Sequence, residues 1–363
     1  MQVVYISRRV SVMMYNIIQM RKDHLFIIGF VSVLIFLTST IYNFGHNSVT
    51  NIGYGQIGSD LVNSTNATVT NLVNLEDIPL EKVQVGDIEI AYKVFGNGEP
   101  LILHNGASDG MDAWDPSLLT KLASNNTVIV FDGRGIGNTT GGTEPYSIQL
   151  LANDTAGLMD ALEIQQASIL GFSLSTFVVQ QFAISYPEKV SSFILIAGSC
   201  GGKDTVPRPA WFDDLQAGVV NKSLNNIPIS QEEMKALVNA SVGPGWLKLH
   251  PGSLDLPSNM TFQQMKPSLS PETMNNQMNA GQTWMTSDWT GACDGLAEVA
   301  KPLLVITGTD DNLYVPHDNS LVIASKVPGA WLVQIKDAGH AVPDQYPDEV
   351  GNVINTFLST MKI

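Results

Sequence analysis

At about 150 residues per domain, 363 residues are enough for about two domains or one large core with an insertion, which excludes a small disulfide-stapled scaffold. Charged residues make up only 15%, and 19 Lys plus Arg against 34 Asp plus Glu leave a net charge of −15, which argues against nucleic-acid binding. The two cysteines, Cys200 and Cys293, give no zinc-ligand spacing and at most one disulfide.

From Leu25 to Tyr42 the chain reads LFIIGFVSVLIFLTSTIY, without a charge. As a helix this stretch spans about 27 Å, near the hydrocarbon thickness, so residues 25–42 are expected to form a transmembrane signal anchor. Arg8, Arg9, Arg21 and Lys22 precede it and no Lys or Arg follows before Lys82. That bias puts a leader, residues 1–24, in the cytoplasm and everything after the anchor outside the cell membrane. A cleaved signal peptide is the alternative, although no Ala-x-Ala-like site follows the apolar run. A start at Met20 would give a more compact basic-then-apolar entry. Residues 43–78, rich in Asn, Ser, Thr, Val and Gly and nearly uncharged, read as an extracytoplasmic linker. Asn-x-Ser/Thr acceptors at Asn63, Asn66, Asn125, Asn138, Asn153, Asn221, Asn239 and Asn259 suit such a location or reflect an Asn-rich composition.

After Pro79 short β-rich runs alternate with helical periods. KVQV and IEIAYKVF predict a hairpin around Gly86-Asp87, and PLILHN (100–105), NTVIVFD (126–132), ASILGF (167–172), FILIAG (193–198), PLLVITG (302–308) and AWLVQIK (330–336) read as buried strands. Helices are predicted over Pro116–Ser124 and Tyr146–Leu162, directly after residue 172, and at the C-terminus. The fold class is therefore α/β, a mainly parallel sheet covered on both faces, with residues 79–204 and 290–363 as its core. Residues 205–289 interrupt the alternation with many Pro and Gly breaks. Their Trp211, Phe212, Met234, Trp246, Met260, Phe262, Met265, Met274, Met278, Trp284, Met285 and Trp289 predict an insertion of short helices that roofs an apolar pocket while packing on the sheet.

GFSLS (171–175) stands where a strand gives way to a helix, the position of a nucleophilic serine on a strained turn; Ser175 replaces the last glycine of the commoner G-x-S-x-G. LILHNGASDGMDAWDP (101–116), VIVFDGRGIGNT (128–139), LGFSLSTFVVQQFAISYPEKV (170–190), LLVITGTDDNLYVP (303–316) and AGHAVPDQYPDEV (338–350) accompany it in order. With these motifs the chain resembles the α/β-hydrolase superfamily, in its lid-bearing group of esterases, lactonases and cofactor-free perhydrolases. The likeness covers Val83 to the C-terminus outside the insertion. It implies Ser173 as nucleophile, His340 as general base and Asp311 as the orienting acid, with the adjacent Asp310 as the alternative. It also implies an oxyanion hole from the backbone N–H groups of Ala107 and Leu174, and here Asn105 stands where a histidine is commoner. Gly133, Gly135 and Gly137 read as turn residues and Arg134 as the centre of a buried fork of hydrogen bonds.

The expected function is a membrane-tethered extracytoplasmic serine hydrolase for carboxylic esters, thioesters or lactones. Its partners would be a small ester-like substrate with an apolar acyl group and, through residues 25–42, the membrane. No metal or organic cofactor is implied. A perhydrolase with the same triad and a ligand receptor on the same fold are the alternatives. Arg208, Lys222, Lys235, Lys248 and Lys266 are the insertion's cations, with surface solvation as the plain account of each. Cys200 and Cys293 flank the insertion and read as two buried thiols or, in an oxidising compartment, one disulfide.

Overall fold

β-Branched apolar runs build the sheet. The computed structural model describes residues 72–225, 227–251, 270–286 and 288–361, and within them eight strands join in the order β1-β2-β4-β3-β5-β6-β7-β8. β1 (Glu81–Val85) and β2 (Ile88–Gly96) form the hairpin, whose tip needs the left-handed backbone of Gly86. β2 also pairs antiparallel with β4 (Asn126–Phe131). β3 (Glu99–His104), β5 (Ala167–Phe172), β6 (Val190–Ile196), β7 (Leu303–Gly308) and β8 (Trp331–Ile335) complete the sheet, and every remaining pairing is parallel. β5 and β7 are buried at every position, as strands covered on both faces must be.

Among the covering helices, α1 (Pro116–Ala123) starts at the Asp115 carboxylate, which accepts from the Ser117 and Leu118 N–H groups. α2 (Ile148–Ala161) starts later than the sequence pattern suggests. Ser147 caps it, and the Tyr146 hydroxyl is held at the Arg134 and Gly141 carbonyls instead. α3 (Ser175–Ser185) follows β5 directly.

Between β6 and β7 lie α4 (Ala210–Leu224), α5 (Gln231–Leu249), α6 (Pro271–Met285) and α7 (Cys293–Val299). α4 and α6, at 15 residues each, are longer than the Pro and Gly breaks suggest, whereas α5 is two shorter helices that meet at a kink. Gly243 there takes φ 75° ahead of Pro244. α8 (Asp318–Lys326), α9 (Val342–Gln345) and α10 (Pro347–Thr360) close the chain.

Cys200 and Cys293 form a disulfide, their Cα atoms 5.4 Å apart, so the reading as two thiols does not hold. Around it Ala292 N–H donates to Cys200 O at 2.8 Å and Lys203 N–H to Trp289 O at 3.1 Å, which joins the two stems of the insertion.

The apolar roof is smaller than the composition suggests. Of the large residues named for it, Met278 and Met285 line the cleft among the described residues. Phe212, Met234 and Met274 pack inside the insertion, Trp284 stacks on Phe177, and Trp211 is exposed. An insertion of this size needs a core of its own before it can cover anything.

The anchor at residues 25–42, its leader, residues 43–71 of the linker, Asn63, Asn66 and Asn259, and Met260, Phe262, Met265 and Lys266 lie outside the described residues. Among the described residues no helix is long and apolar enough to cross a membrane.

Candidate active site

Two residues, Ser173 and Leu174, turn the chain from β5 into α3. Ser173 adopts φ 54°, a left-handed backbone that a residue with a side chain enters only under constraint. The constraint is visible. Its N–H donates to Ile196 O at 2.9 Å, and its carbonyl accepts from the Thr176 N–H at 3.0 Å and hydroxyl at 2.6 Å. A Cβ at Gly171 would stand 2.6 Å from Ser175 O, so the first glycine of GFSLS is required by close approach.

The two departures from the commoner motifs meet each other. The Ser175 hydroxyl donates to the Asn105 carbonyl. Asn105 braces its own loop, with Oδ1 accepting from Gly106 N–H at 2.8 Å and Nδ2 donating to Gly110 O at 3.1 Å. Together they pin residues 105–110 to the serine turn. The N–H groups of Ala107 and Leu174, both buried, meet no acceptor among the described residues.

Ser173 Oγ lies 2.9 Å from His340 Nε2, and His340 Nδ1 lies 2.6 Å from Asp311 Oδ2. All three side chains are buried. A carboxylate only accepts, so Nδ1 carries the ring proton and Nε2 is left to accept from the serine hydroxyl. Asp310 turns the other way, its Oδ2 accepting from Gly245 N–H of α5 at 2.7 Å. Of the adjacent acids, Asp311 is the one that reaches the ring.

The imidazole sits between Phe172, 5.4 Å away between centroids, and Tyr314, stacked at 5.0 Å. Burial raises the Tyr314 phenol well above its usual range, and the protonated hydroxyl donates to Leu237 O of α5 at 3.2 Å. The His340 loop also leans on the insertion, since Ala341 N–H donates to Ser241 O at 3.0 Å. The insertion therefore braces the His340 imidazole as well as covering it.

A cleft of about 220 Å³ lies over Ser173 and His340. Phe177, Val206, Met278, Met285 and Val315 give it apolar walls, and Thr205, Arg208 and Gln282 are polar positions. Arg208 departs from the surface account of the insertion's cations. Its Nε donates to Asp213 Oδ1 at 2.6 Å while its guanidinium lies 5.8 Å from the Phe212 ring, so the charge faces the cleft already matched. Among the described residues no group of His, Cys, Asp and Glu is placed to hold a metal ion.

Arg134 forms the buried fork, donating from Nε and a terminal nitrogen to Asp154 at 2.8 and 2.7 Å and from the other to Asp87 at 2.7 Å. Burial disfavours its charge, but the two carboxylates outweigh that and raise its pKa. It ties the 132–141 loop to α2 and the β1–β2 hairpin, away from the relay.

Sequence reasoning missed Tyr314, Thr205 and Gln277. An aromatic two residues before Pro316, in the loop that follows Asp311, is the signal that could have found Tyr314. Gln277 carries no sequence signal, because its position over the site comes only from the packing of α6.

A relay of this kind can deprotonate a serine hydroxyl as it attacks a carbonyl, and two unpaired N–H groups nearby can receive the oxyanion. Known proteins agree with the architecture. The chain is 26% identical over 276 residues to a Mycobacterium tuberculosis protein, BpoC, provisionally named a non-heme bromoperoxidase, covering 76% of this chain and 99% of that one. It is 26% identical over 261 residues to a poly(3-hydroxyalkanoate) depolymerase of Ectopseudomonas oleovorans, covering 71% and 84%. A thermophilic esterase from Thermogutta terrifontis superposes with a TM-score of 0.63 at 21% identity, over 78% of this chain and 100% of that one. The model of the alpha/beta hydrolase fold family matches residues 99–346, well over half of the chain, and the protein belongs to that family.

Proposed function

We propose that this chain is a serine hydrolase that cleaves carboxylic esters, thioesters or lactones through an acyl-enzyme on Ser173. The observation that carries the reading is the buried relay from Ser173 through His340 to Asp311, at 2.9 and 2.6 Å. Ser173 Oγ attacks the carbonyl carbon while His340 Nε2 takes the hydroxyl proton. The carbonyl oxygen becomes an oxyanion received by the Ala107 and Leu174 N–H groups. Collapse expels the alkoxide or thiolate, which takes from His340 the proton that Ser173 gave up. Water then repeats the sequence on the acyl-enzyme and releases the acid. Asp311 keeps the ring in the working tautomer and stabilises the imidazolium.

The apolar cleft walls and the matched charge of Arg208 favour neutral acyl groups of short to medium length. The names of the depolymerase and esterase relatives support ester cleavage. A panel of p-nitrophenyl esters against the wild type and Ser173→Ala tests it. Turnover that survives the substitution would sink the reading. The name of BpoC favours one second reading, in which hydrogen peroxide replaces water as acyl acceptor with the same three residues. Peroxide-dependent formation of a peracid faster than hydrolysis would select it.

The chain is further read as tethered to the cell membrane with its catalytic domain outside. The uncharged run at 25–42 behind Arg8, Arg9, Arg21 and Lys22 supports this. So does the Cys200–Cys293 disulfide, which suits an oxidising compartment. Protease added to sealed right-side-out vesicles should release the domain by cutting between residues 44 and 74. Protection of the domain would contradict that topology.

A further inference from the structure

We infer that Gln277 on α6 is a positioning residue for the oxyanion-binding backbone, so that the insertion completes the active site. The inference rests on the serine-hydrolase reading for its catalytic meaning. Gln277 bonds to the residue after one donor, and Gly281, one turn along the same helix face, packs on the side chain of the residue that carries the other.

Gln277 is buried, and its Oε1 accepts from Ser108 N–H at 3.0 Å. Ser108 follows Ala107, whose N–H is one of the two donors, and it holds φ 68°, again left-handed for a residue with a side chain. Its own hydroxyl is buried and meets no partner among the described residues, so it cannot hold the turn. Asn105 and Ser175 fix the start of the loop, and Asp132 Oδ1 fixes its end by accepting from Met111 N–H at 2.8 Å. The middle, where the donor sits, is closed by a turn bond from Asp109 N–H to Gly106 O at 3.3 Å, and Gln277 holds it from outside the loop. One turn further on, a Cβ at Gly281 would come within 2.9 Å of Leu174 Cδ1, so the bare helix backbone lies directly on the residue that carries the other donor.

The same helix lines the substrate cleft through Met278 and Gln282. Contacts that seat α6 on a bound acyl group are therefore contacts that seat the oxyanion loop. A displacement of about 1 Å in such a group costs on the order of a hundredfold in rate. Loss of the Gln277 acceptor also leaves a buried N–H unpaired, which the loop can relieve only by moving.

Gln277→Met keeps the length and apolar stem of the side chain while removing the acceptor. Hydrogen exchange and ester kinetics on the full chain test it together. Exchange of the Ser108 amide should accelerate at least about tenfold, with the β5 and β7 amides unchanged. The kcat should fall about ten- to a hundredfold while KM stays within about threefold. Wild-type exchange at Ser108, an unchanged kcat, or acceleration spread evenly over the sheet would each overturn the inference. A wild type without ester turnover would instead refute the serine-hydrolase reading, and the exchange measurement would still decide whether Gln277 holds the loop.

Discussion

His104 ends β3 and immediately precedes the loop that carries Ala107, so its charge state bears on the site. The Thr155 hydroxyl donates to Leu151 O at 3.0 Å, which leaves it to accept from His104 Nε2 at 2.9 Å and fixes a neutral ring with the proton on Nε2. Burial lowers the pKa of this histidine from the usual 6.5 to about 3. The unfolded chain takes up the proton near 6.5 and the folded chain does not. Stability from this residue is therefore complete above pH 6.5 and is lost as the pH falls towards 3. At pH 5 the gap is about 1.5 pH units, or about 2 kcal/mol at 1.36 kcal/mol per unit. His104→Phe removes the titration, keeps a ring against Phe131 and leaves the Thr155 hydroxyl bonded to Leu151. Urea unfolding at pH 7 and pH 5 should show the wild type losing about 2 kcal/mol more than the variant between the two. Equal losses would mean that His104 is protonated in the folded chain or does not titrate in this range, and would refute the reasoning.

The adjacent acids separate by partner: Asp311→Asn should lower kcat by roughly 10⁴, whereas Asp310→Asn, whose amide oxygen can still accept from Gly245 N–H, should cost less than about tenfold. Steady-state ester kinetics on both variants check this, and a reversed order would reassign the acid. Wild-type kcat/KM should be higher for butyryl and hexanoyl esters than for succinyl or glutaryl half-esters, because Asp213 matches the Arg208 charge. Asp213→Asn should raise half-ester turnover relative to butyryl by about tenfold, because the guanidinium keeps its bond to Tyr314 O but loses the carboxylate that matches its charge. A wild-type preference for half-esters would refute this account of the cleft.

The sheet was legible because buried parallel strands write themselves as short apolar runs. PLLVITG and ASILGF each fall within a residue of the strands they predict. The relay was legible because the strand-to-helix turn at GFSLS and the glycine-flanked loop at His340 leave local signatures. The insertion was not. Its helices gain their lengths and faces from packing against one another and on the loop that follows Asp311, where Tyr314 joins Leu237 to His340. The same composition of Met and Trp serves a core, an exposed surface and a cleft wall, so it could not say which residue does which. Asn105 and Ser175 each look like a lone departure from a motif, and only their hydrogen bond in three dimensions shows them as one device. The disulfide was left open because two cysteines at neighbouring stems of an insertion read equally as buried thiols, and only their 5.4 Å Cα separation in the fold joins them.

The central claim is that Ser173 is the nucleophile, activated by His340. Incubation with a fluorophosphonate, followed by intact-mass measurement and peptide mapping, tests it most directly. The account predicts one adduct per chain, on Ser173, that is absent from Ser173→Ala and forms much more slowly in His340→Ala. An adduct on Ser175, or labelling that persists in Ser173→Ala, would contradict it.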